Sequence, residues 1–221
     1  MSHGMKVTPR LIALAVVVLV GSQMLAQETP SSPASATPAA KNPWAYSLTV
    51  DGYVVPDGQS YVNPVFTADH NWLHLEARYN YENLRTGSLW AGYNFTAGKK
   101  LVLAVTPMIG GVFGRTNGIA PGLEASLTYK KVALSISNEY VFDTTSKSGN
   151  FYYSWPQLTY SPLSWFRVGV VAEHTKVYHT NLSVGRGFLV GFSHKKWEFT
   201  TYIFNPGVAD PIAILEVGVN F

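Results

Sequence analysis

Five ionic or polar side chains occupy alternate positions in one short stretch: His74, Glu76, Arg78, Asn80 and Glu82. Residues two apart point to the same side of an extended chain, so this spacing gathers carboxylates, a guanidinium, an imidazole and an amide on one face. Glu124 with Ser126, and Ser135 and Ser137 with Glu139, repeat the pattern, and Arg167, Glu173, Glu198 and Glu216 carry it toward the C-terminus. Such groups suit either of two tasks. Along a water-filled path the carboxylates favour cations. In a closed interior, Arg78 and Arg167 instead tie glutamates into a bracing network. Catalysis asks for more. A serine nucleophile needs a histidine within hydrogen-bond reach. The positions two after His70, His74, His174, His179 and His194 are Trp72, Glu76, Lys176, Asn181 and Lys196, and none is serine. Ser135 and Ser137 therefore read as wall fillers, and no enzymatic activity is expected. His74 and Glu76 are too few for a metal site, and with 0 cysteines the chain has no thiolate ligand, disulfide or lipid-modified cysteine. Gly110-Gly111-Val112-Phe113-Gly114 precedes no helix, so it reads as a strand end or hairpin loop rather than a phosphate cradle. No cofactor is expected.

The elements that position these residues begin after a leader. Lys6 and Arg10 precede an apolar stretch, Leu11 to Val20, followed by Gly21, Ser22 and Ala26, the order of a secretory signal peptide cleaved after Ala26. That stretch is about half the ~20 residues a membrane-spanning helix needs. Residues 27–42 (QETPSSPASATPAAKN) have the composition of a flexible leader in the periplasm. Residues 43–221 form one domain dense in Tyr, Phe, Trp, Val, Leu, Thr and Gly. The formal +3 charge includes Lys6 and Arg10, so the mature chain carries +1 and offers no argument for nucleic acid. With 13% charged and 14% aromatic residues, a surface facing something other than water is implied.

Alternating runs recur about every 15 residues, each ended by Gly, Asn, Asp, Pro, Ser or a lysine pair. Twelve strands are predicted, starting near Ala45, Tyr61, Trp72, Gly87, Leu101, Ile119, Val132, Phe151, Trp165, Asn181, Trp197 and Ala209. Ten or fourteen result if a hairpin is split or merged. Leu73, Leu75, Ala77, Tyr79 and Tyr81 oppose the ionic face of the third strand. Leu89, Ala91, Tyr93 and Phe95 oppose Trp90, Gly92, Asn94 and Thr96, and Leu215, Val217, Val219 and Phe221 oppose Glu216, Gly218 and Asn220. Aromatics gather at strand ends (among them Trp72, Tyr79, Tyr81, Trp90, Tyr93, Tyr129 and Trp197), as in the girdles of a membrane barrel. One set of connections is tight: Asp69-His70, Gly98 to Lys100, Lys130-Lys131, Ser161 to Ser164 and His194 to Lys196. The other is longer, including Pro56 to Ser60, Gly114 to Gly118, Asp143 to Asn150, Lys176 to Thr180 and Pro206 to Asp210. Short turns on one side and longer loops on the other mark a transmembrane barrel. Because an open edge is not tolerated in hydrocarbon, the first strand must pair with the last. Pro64, Pro107, Pro121 and Pro156 then require bulges or strand ends.

The signal peptide, the aromatic-rich alternating strands and the closing Glu216-Val217-Gly218-Val219-Asn220-Phe221 together resemble the bacterial outer-membrane β-barrel superfamily, with no functionally defined family indicated. The fold implied is all-β, a closed antiparallel up-and-down barrel in the outer membrane with both termini periplasmic. The resemblance implies that Val217, Val219 and Phe221 present a signal to the barrel assembly machinery, and that outer-membrane lipid surrounds the wall. The family's lipases resemble a serine hydrolase laid along a strand, a pattern these histidines lack. The expected lumen carries His74, Glu76, Arg78, Asn80, Glu82, Glu124, Ser126, Glu139, Arg167, Glu173, Glu198 and Glu216. A small passive channel with an acidic, cation-favouring lumen is the favoured function, and small solutes are its partners. A structural or interaction barrel sealed by the Glu/Arg network stays open as the alternative.

Overall fold

A computed structural model describes residues 44–56, 58–177, 183–207 and 211–221. The signal peptide, the leader and the expected strand starts at Asn181 and Ala209 lie outside the described residues. The strands are β1 (Ala45–Val54), β2 (Tyr61–His70), β3 (Leu73–Tyr79), β4 (Thr86–Tyr93), β5 (Phe95–Ala97), β6 (Leu101–Gly114) and β7 (Gly118–Tyr129). They continue as β8 (Val132–Asp143), β9 (Phe151–Leu163), β10 (Phe166–Val177), β11 (Ser183–His194), β12 (Trp197–Phe204) and β13 (Ile212–Asn220). A single turn of 3₁₀ helix, Lys147–Gly149, sits in the loop after β8.

Apart from β4 and β5, consecutive strands pair antiparallel, and β1 pairs with β13 from Ser47↔Asn220 to Val54↔Ala213. The sheet is thereby a closed ring. At the seam, Tyr46 and Phe221 exchange two backbone hydrogen bonds of 2.9 Å, and their rings stack at 5.9 Å. β4 and β5 both pair with β6, so they are one stave interrupted at Asn94, and the barrel has twelve staves. The interruption has a side-chain cause. Asn94 Nδ2 donates to Asp69 Oδ1 (2.6 Å), its Oδ1 accepts from Thr106 (2.7 Å), and its N–H reaches Trp72 O (2.7 Å).

The predicted alternation sets the two surfaces. Leu75, Leu89, Leu127, Leu134, Leu158, Phe188, Phe199, Leu215 and Val217 are exposed on the outer wall, while His74, Glu76, Arg78 and Glu139 are buried within. Trp72, Tyr79, Tyr93, Phe95, Tyr129, Tyr160, Trp165 and Trp197 are exposed near strand ends. Two aromatics expected in that girdle are not there. Trp90, 3% exposed, packs inside with Met108, Val112, Ala120 and Val141. Tyr81 lies beyond the end of β3, which stops at Tyr79, and turns in over Arg78. The left-handed backbone of Asn80 (φ 60°) breaks the alternation between Tyr79 and Tyr81.

The prolines also depart from expectation. Pro64 pairs with Val50, Pro107 with Leu123, Pro121 with Ile109 and Pro156 with Ile136, all inside strands and in unshifted register. In an antiparallel strand successive N–H groups point to alternate neighbours, so a proline removes one bond from one ladder and leaves the other intact. The register shift that does occur lies between Phe166 and Val168 of β10, opposite Ser161-Pro162 of β9.

The hairpin turns at one end are short: Asn71-Trp72, Gly98 to Lys100, Lys130-Lys131, Ser164-Trp165 and Lys195-Lys196. Asn71, Lys130 and Lys195 each open their turn with a left-handed φ of 53–55°. At the other end, residues 80–85 and 144–150 form longer connections, whereas 115–117 is as short as the turns opposite. Leu215 stands mid-strand on the outer wall. A Leu215→Arg variant is expected to lose about 2–4 kcal/mol of folding free energy in lipid vesicles, measured by reversible denaturant titration.

Candidate functional site

The lumen gathers nearly all of the chain's buried charge. Its hub is Arg78, 5% exposed, on β3. Nη1 donates to Glu139 Oε2 on β8 (2.8 Å) and Nη2 to Glu76 Oε2 (2.8 Å), with Glu124 Oε1 on β7 at 3.8 Å. The guanidinium also lies between two rings, its centre 4.3 Å from Tyr81 and 4.5 Å from Trp90. A planar delocalised cation can use its edge for carboxylates and its faces for rings at once, which an ammonium cannot. Toward the short-turn end, His74 Nε2 lies 3.5 Å from Glu76 and its Nδ1 lies 2.8 Å from Asp69, which continues to Asn94 and Thr106.

Glu82 arrives by a different route. It lies in the loop after β3 yet is buried, accepting from Ser88 Oγ (2.5 Å) and Trp90 Nε1 (3.3 Å). Asn80 lies in the same loop and braces it, donating to Val62 O (2.9 Å) and accepting from the Arg85 N–H (2.7 Å). It lines the outer cavity described below but is not a strand-wall residue. The second cluster centres on Arg167 of β10, which reaches Glu198 (3.2 Å), Thr200 (2.6 Å) and Glu216 (3.4 Å). Glu216 also accepts from Thr200 (2.8 Å) and the Tyr202 hydroxyl (2.9 Å).

The remaining space is a chain of three cavities. The outermost, about 540 Å³, lies at the long-loop end and is lined by Tyr61, Glu82, Arg115, Tyr153, Glu173 and Thr175 among others. A central one of about 160 Å³ holds Asp51, Tyr53, Trp155, Tyr202 and Glu216, and shares Tyr81 and Tyr153 with the first. The innermost, about 330 Å³, is lined by Thr106, Glu124, Ser126 and Ser135, and shares Ser137, Trp155 and Gln157 with the central one. The shared side chains place the three in sequence along the barrel. The waist is aromatic: Tyr81 meets Tyr153 edge-on at 5.7 Å, and Trp155 meets Tyr202 and Phe204 at 5.5 and 5.1 Å.

Of the residues expected in the lumen, His74, Glu76, Arg78, Glu82 and Glu139 are buried, Glu124, Ser126, Glu173 and Glu216 line the cavities, Arg167 and Glu198 form the second cluster, and Asn80 is the exception just described. Sequence reasoning missed Asp51 and the waist aromatics. Tyr153, Trp155 and Gln157 alternate in register with Glu139, Ser137 and Ser135, so reading β9 against β8 would have found them. Among the described residues no cluster of three His, Cys, Asp or Glu side chains has metal-binding geometry.

Removing Arg78 leaves Glu76 and Glu139 buried without a cation. Arg78→Ala is therefore expected to destabilise the folded barrel by about 3–5 kcal/mol. Glu124→Gln, on a side chain 41% exposed and 3.8 Å away, is expected to cost under about 1 kcal/mol. Denaturant unfolding of the two variants checks the difference.

No family model matches the chain, and no curated protein matches it. Solved structures do. The KdgM porin superposes with a TM-score of 0.57 at 14% identity over 79% of this chain and 99% of that one. The KdgM porin in complex with disordered oligogalacturonate gives the same values, a TM-score of 0.57 and 14% identity. OccK3 of Pseudomonas aeruginosa is more remote, with a TM-score of 0.43 and 10% identity over 77% of this chain and 60% of that one. The chain has the fold of the bacterial outer-membrane β-barrel porins.

Proposed function

We propose that this protein is an outer-membrane porin for small solutes whose lumen favours cations. The observation that carries the reading is the run of three cavities that share lining residues, walled by more carboxylates than Arg78, Arg115 and Arg167 can neutralise. Glu124, Glu173 and Asp51 line that path, while Arg78 and Arg167 are already shared among Glu76, Glu139, Glu198 and Glu216. Fixed negative charge beside a narrow aqueous path attracts cations and repels anions. The KdgM porin was solved with an acidic oligosaccharide, oligogalacturonate. Uncompensated carboxylates argue that the present lumen, on the same fold, prefers solutes of opposite charge.

In this reading the lysine-bearing short turns and both termini face the periplasm, the longer loops face outward, and lipid surrounds the apolar wall. Val217, Val219 and Phe221 stand as the signal recognised by the barrel assembly machinery. The sealed-barrel alternative draws on one specific contact, the Arg78–Glu139 tie between β3 and β8, which braces the interior.

Planar-bilayer recording separates the two. The porin is expected to give steady conductance with a reversal potential favouring potassium over chloride, shifted toward zero in a Glu124→Gln, Glu173→Gln variant. Silence from folded protein would favour the sealed barrel, and chloride preference would contradict the acidic lumen.

A further inference from the structure

At the seam where the barrel closes, three oxygen-bearing side chains stand side by side on the inner face. Asp51 of β1 is directly opposite Glu216 of β13 on one side and Asn63 of β2 on the other. Directly opposed residues hold their Cβ atoms about 4.5–5.5 Å apart. Glu216 is engaged by Arg167, Thr200 and Tyr202. Its neighbours are not. Asn63 is 2% exposed, yet its Oδ1 has no hydrogen-bond partner, and Asp51 Oδ1 is likewise out of solvent and unpartnered. Orphaned acceptors inside a native fold call for a donor that the protein does not supply.

Asp51 and Glu216 both line the central cavity of about 160 Å³, whose other walls include the rings of Tyr53, Tyr81, Tyr153 and Trp155. Carboxylates facing aromatic faces form an environment for a cation that has shed its water, because ring faces carry negative potential. The chemistry of the walls discriminates further. A calcium or magnesium ion needs about six oxygen ligands, and this cavity offers rings where those oxygens would have to be. An ammonium on a short carbon chain fits better: its N–H groups donate to the Asp51 and Glu216 carboxylates that line the cavity, and its methylenes lie against the rings. At ~30 Å³ per water, the cavity holds the volume of about five waters, enough for such a head group with a few carbons.

We infer that Asp51 and Glu216, with the aromatic waist around them, form a binding stop for the ammonium group of a small organic amine in transit. The inference rests on the cation-favouring lumen and adds to it a substrate class. Asp51 supplies the uncompensated charge, and Glu216 a carboxylate held by Thr200 and Tyr202.

Isothermal titration of the folded, detergent-solubilised protein with butylammonium chloride tests the site without requiring conductance. Wild-type protein is expected to bind butylammonium saturably and to give no comparable heat with butan-1-ol, which matches it in shape but lacks the charge. Asp51→Asn, checked for folding by heat-dependent gel mobility, is expected to weaken binding by at least about tenfold. Equal binding of butan-1-ol, unchanged affinity in Asp51→Asn, stoichiometric displacement by calcium chloride, or no binding by the wild type would each overturn the site. If Asp51→Asn does not fold, the comparison of amine with alcohol on wild-type protein still decides. Conductance with cation preference but no amine binding would sink the site and leave the porin. Amine binding by a protein silent in bilayers would sink the porin and leave the site.

Discussion

Every backbone N–H and C=O that crosses hydrocarbon must find its partner within the protein, because lipid offers none. This requirement drives the strand design from Ala45 to Asn220. It joins β1 to β13, and it makes Tyr46 and Phe221 exchange backbone bonds at the seam. Once the ring closes, successive side chains divide between two surfaces, and the sequence must provide a different chemistry for each. Leucine, phenylalanine and valine populate one, while glutamate, arginine, serine and threonine populate the other. The prolines fit within this logic because Pro64, Pro107, Pro121 and Pro156 each keep an aligned partner on at least one neighbouring strand.

Closure creates the second problem, the burial of charge. A carboxylate taken out of water without a partner is costly, and the wall places several near one another. Arg78 answers for part of the set by combining two short ion pairs with two ring contacts. Arg167 does the same less tightly for Glu198 and Glu216, supported by the hydroxyls of Thr200 and Tyr202. Two apolar clusters, around Trp90 and around Phe204, fill further parts of the bore. Three cavities are left between these fillings, and the waist between them is formed by tyrosine and tryptophan. In the porin reading proposed above, the carboxylates lining those cavities would set selectivity while their neighbours brace the wall.

Much of this was legible in the sequence, and the exceptions are instructive. Period-two alternation is a local property, so the predicted strand starts that fall on described residues lie within one residue of the observed ones, and it assigned Glu76, Arg78, Glu124 and Glu216 to the inner face. It failed at Tyr81, and the girdle reading failed at Trp90. Asn80 takes a left-handed turn that resets the alternation, so Tyr81 swings inward. Trp90 was on the inward side of its strand pattern but belonged by type to a girdle; the guanidinium of Arg78 and the Ser88 hydroxyl, 2.9 Å from its indole nitrogen, give it a place inside. Asn94 split a stave in two through contacts with Asp69 and Thr106, which are distant in sequence. The waist was invisible for the same reason: Tyr53, Tyr81, Tyr153 and Tyr202 converge only when the ring is closed.

The central claim is that the apolar face of every stave meets lipid and the ionic face meets an aqueous axis. The chain's 0 cysteines make single-cysteine spin labelling clean. Labels at Leu89 and Leu215 should be relaxed by lipid-soluble oxygen and shielded from a water-soluble nickel chelate, while labels at Glu124 and Ser135 should show the reverse. Nickel access at Leu89 and Leu215, with oxygen access at Glu124 and Ser135, would contradict the account.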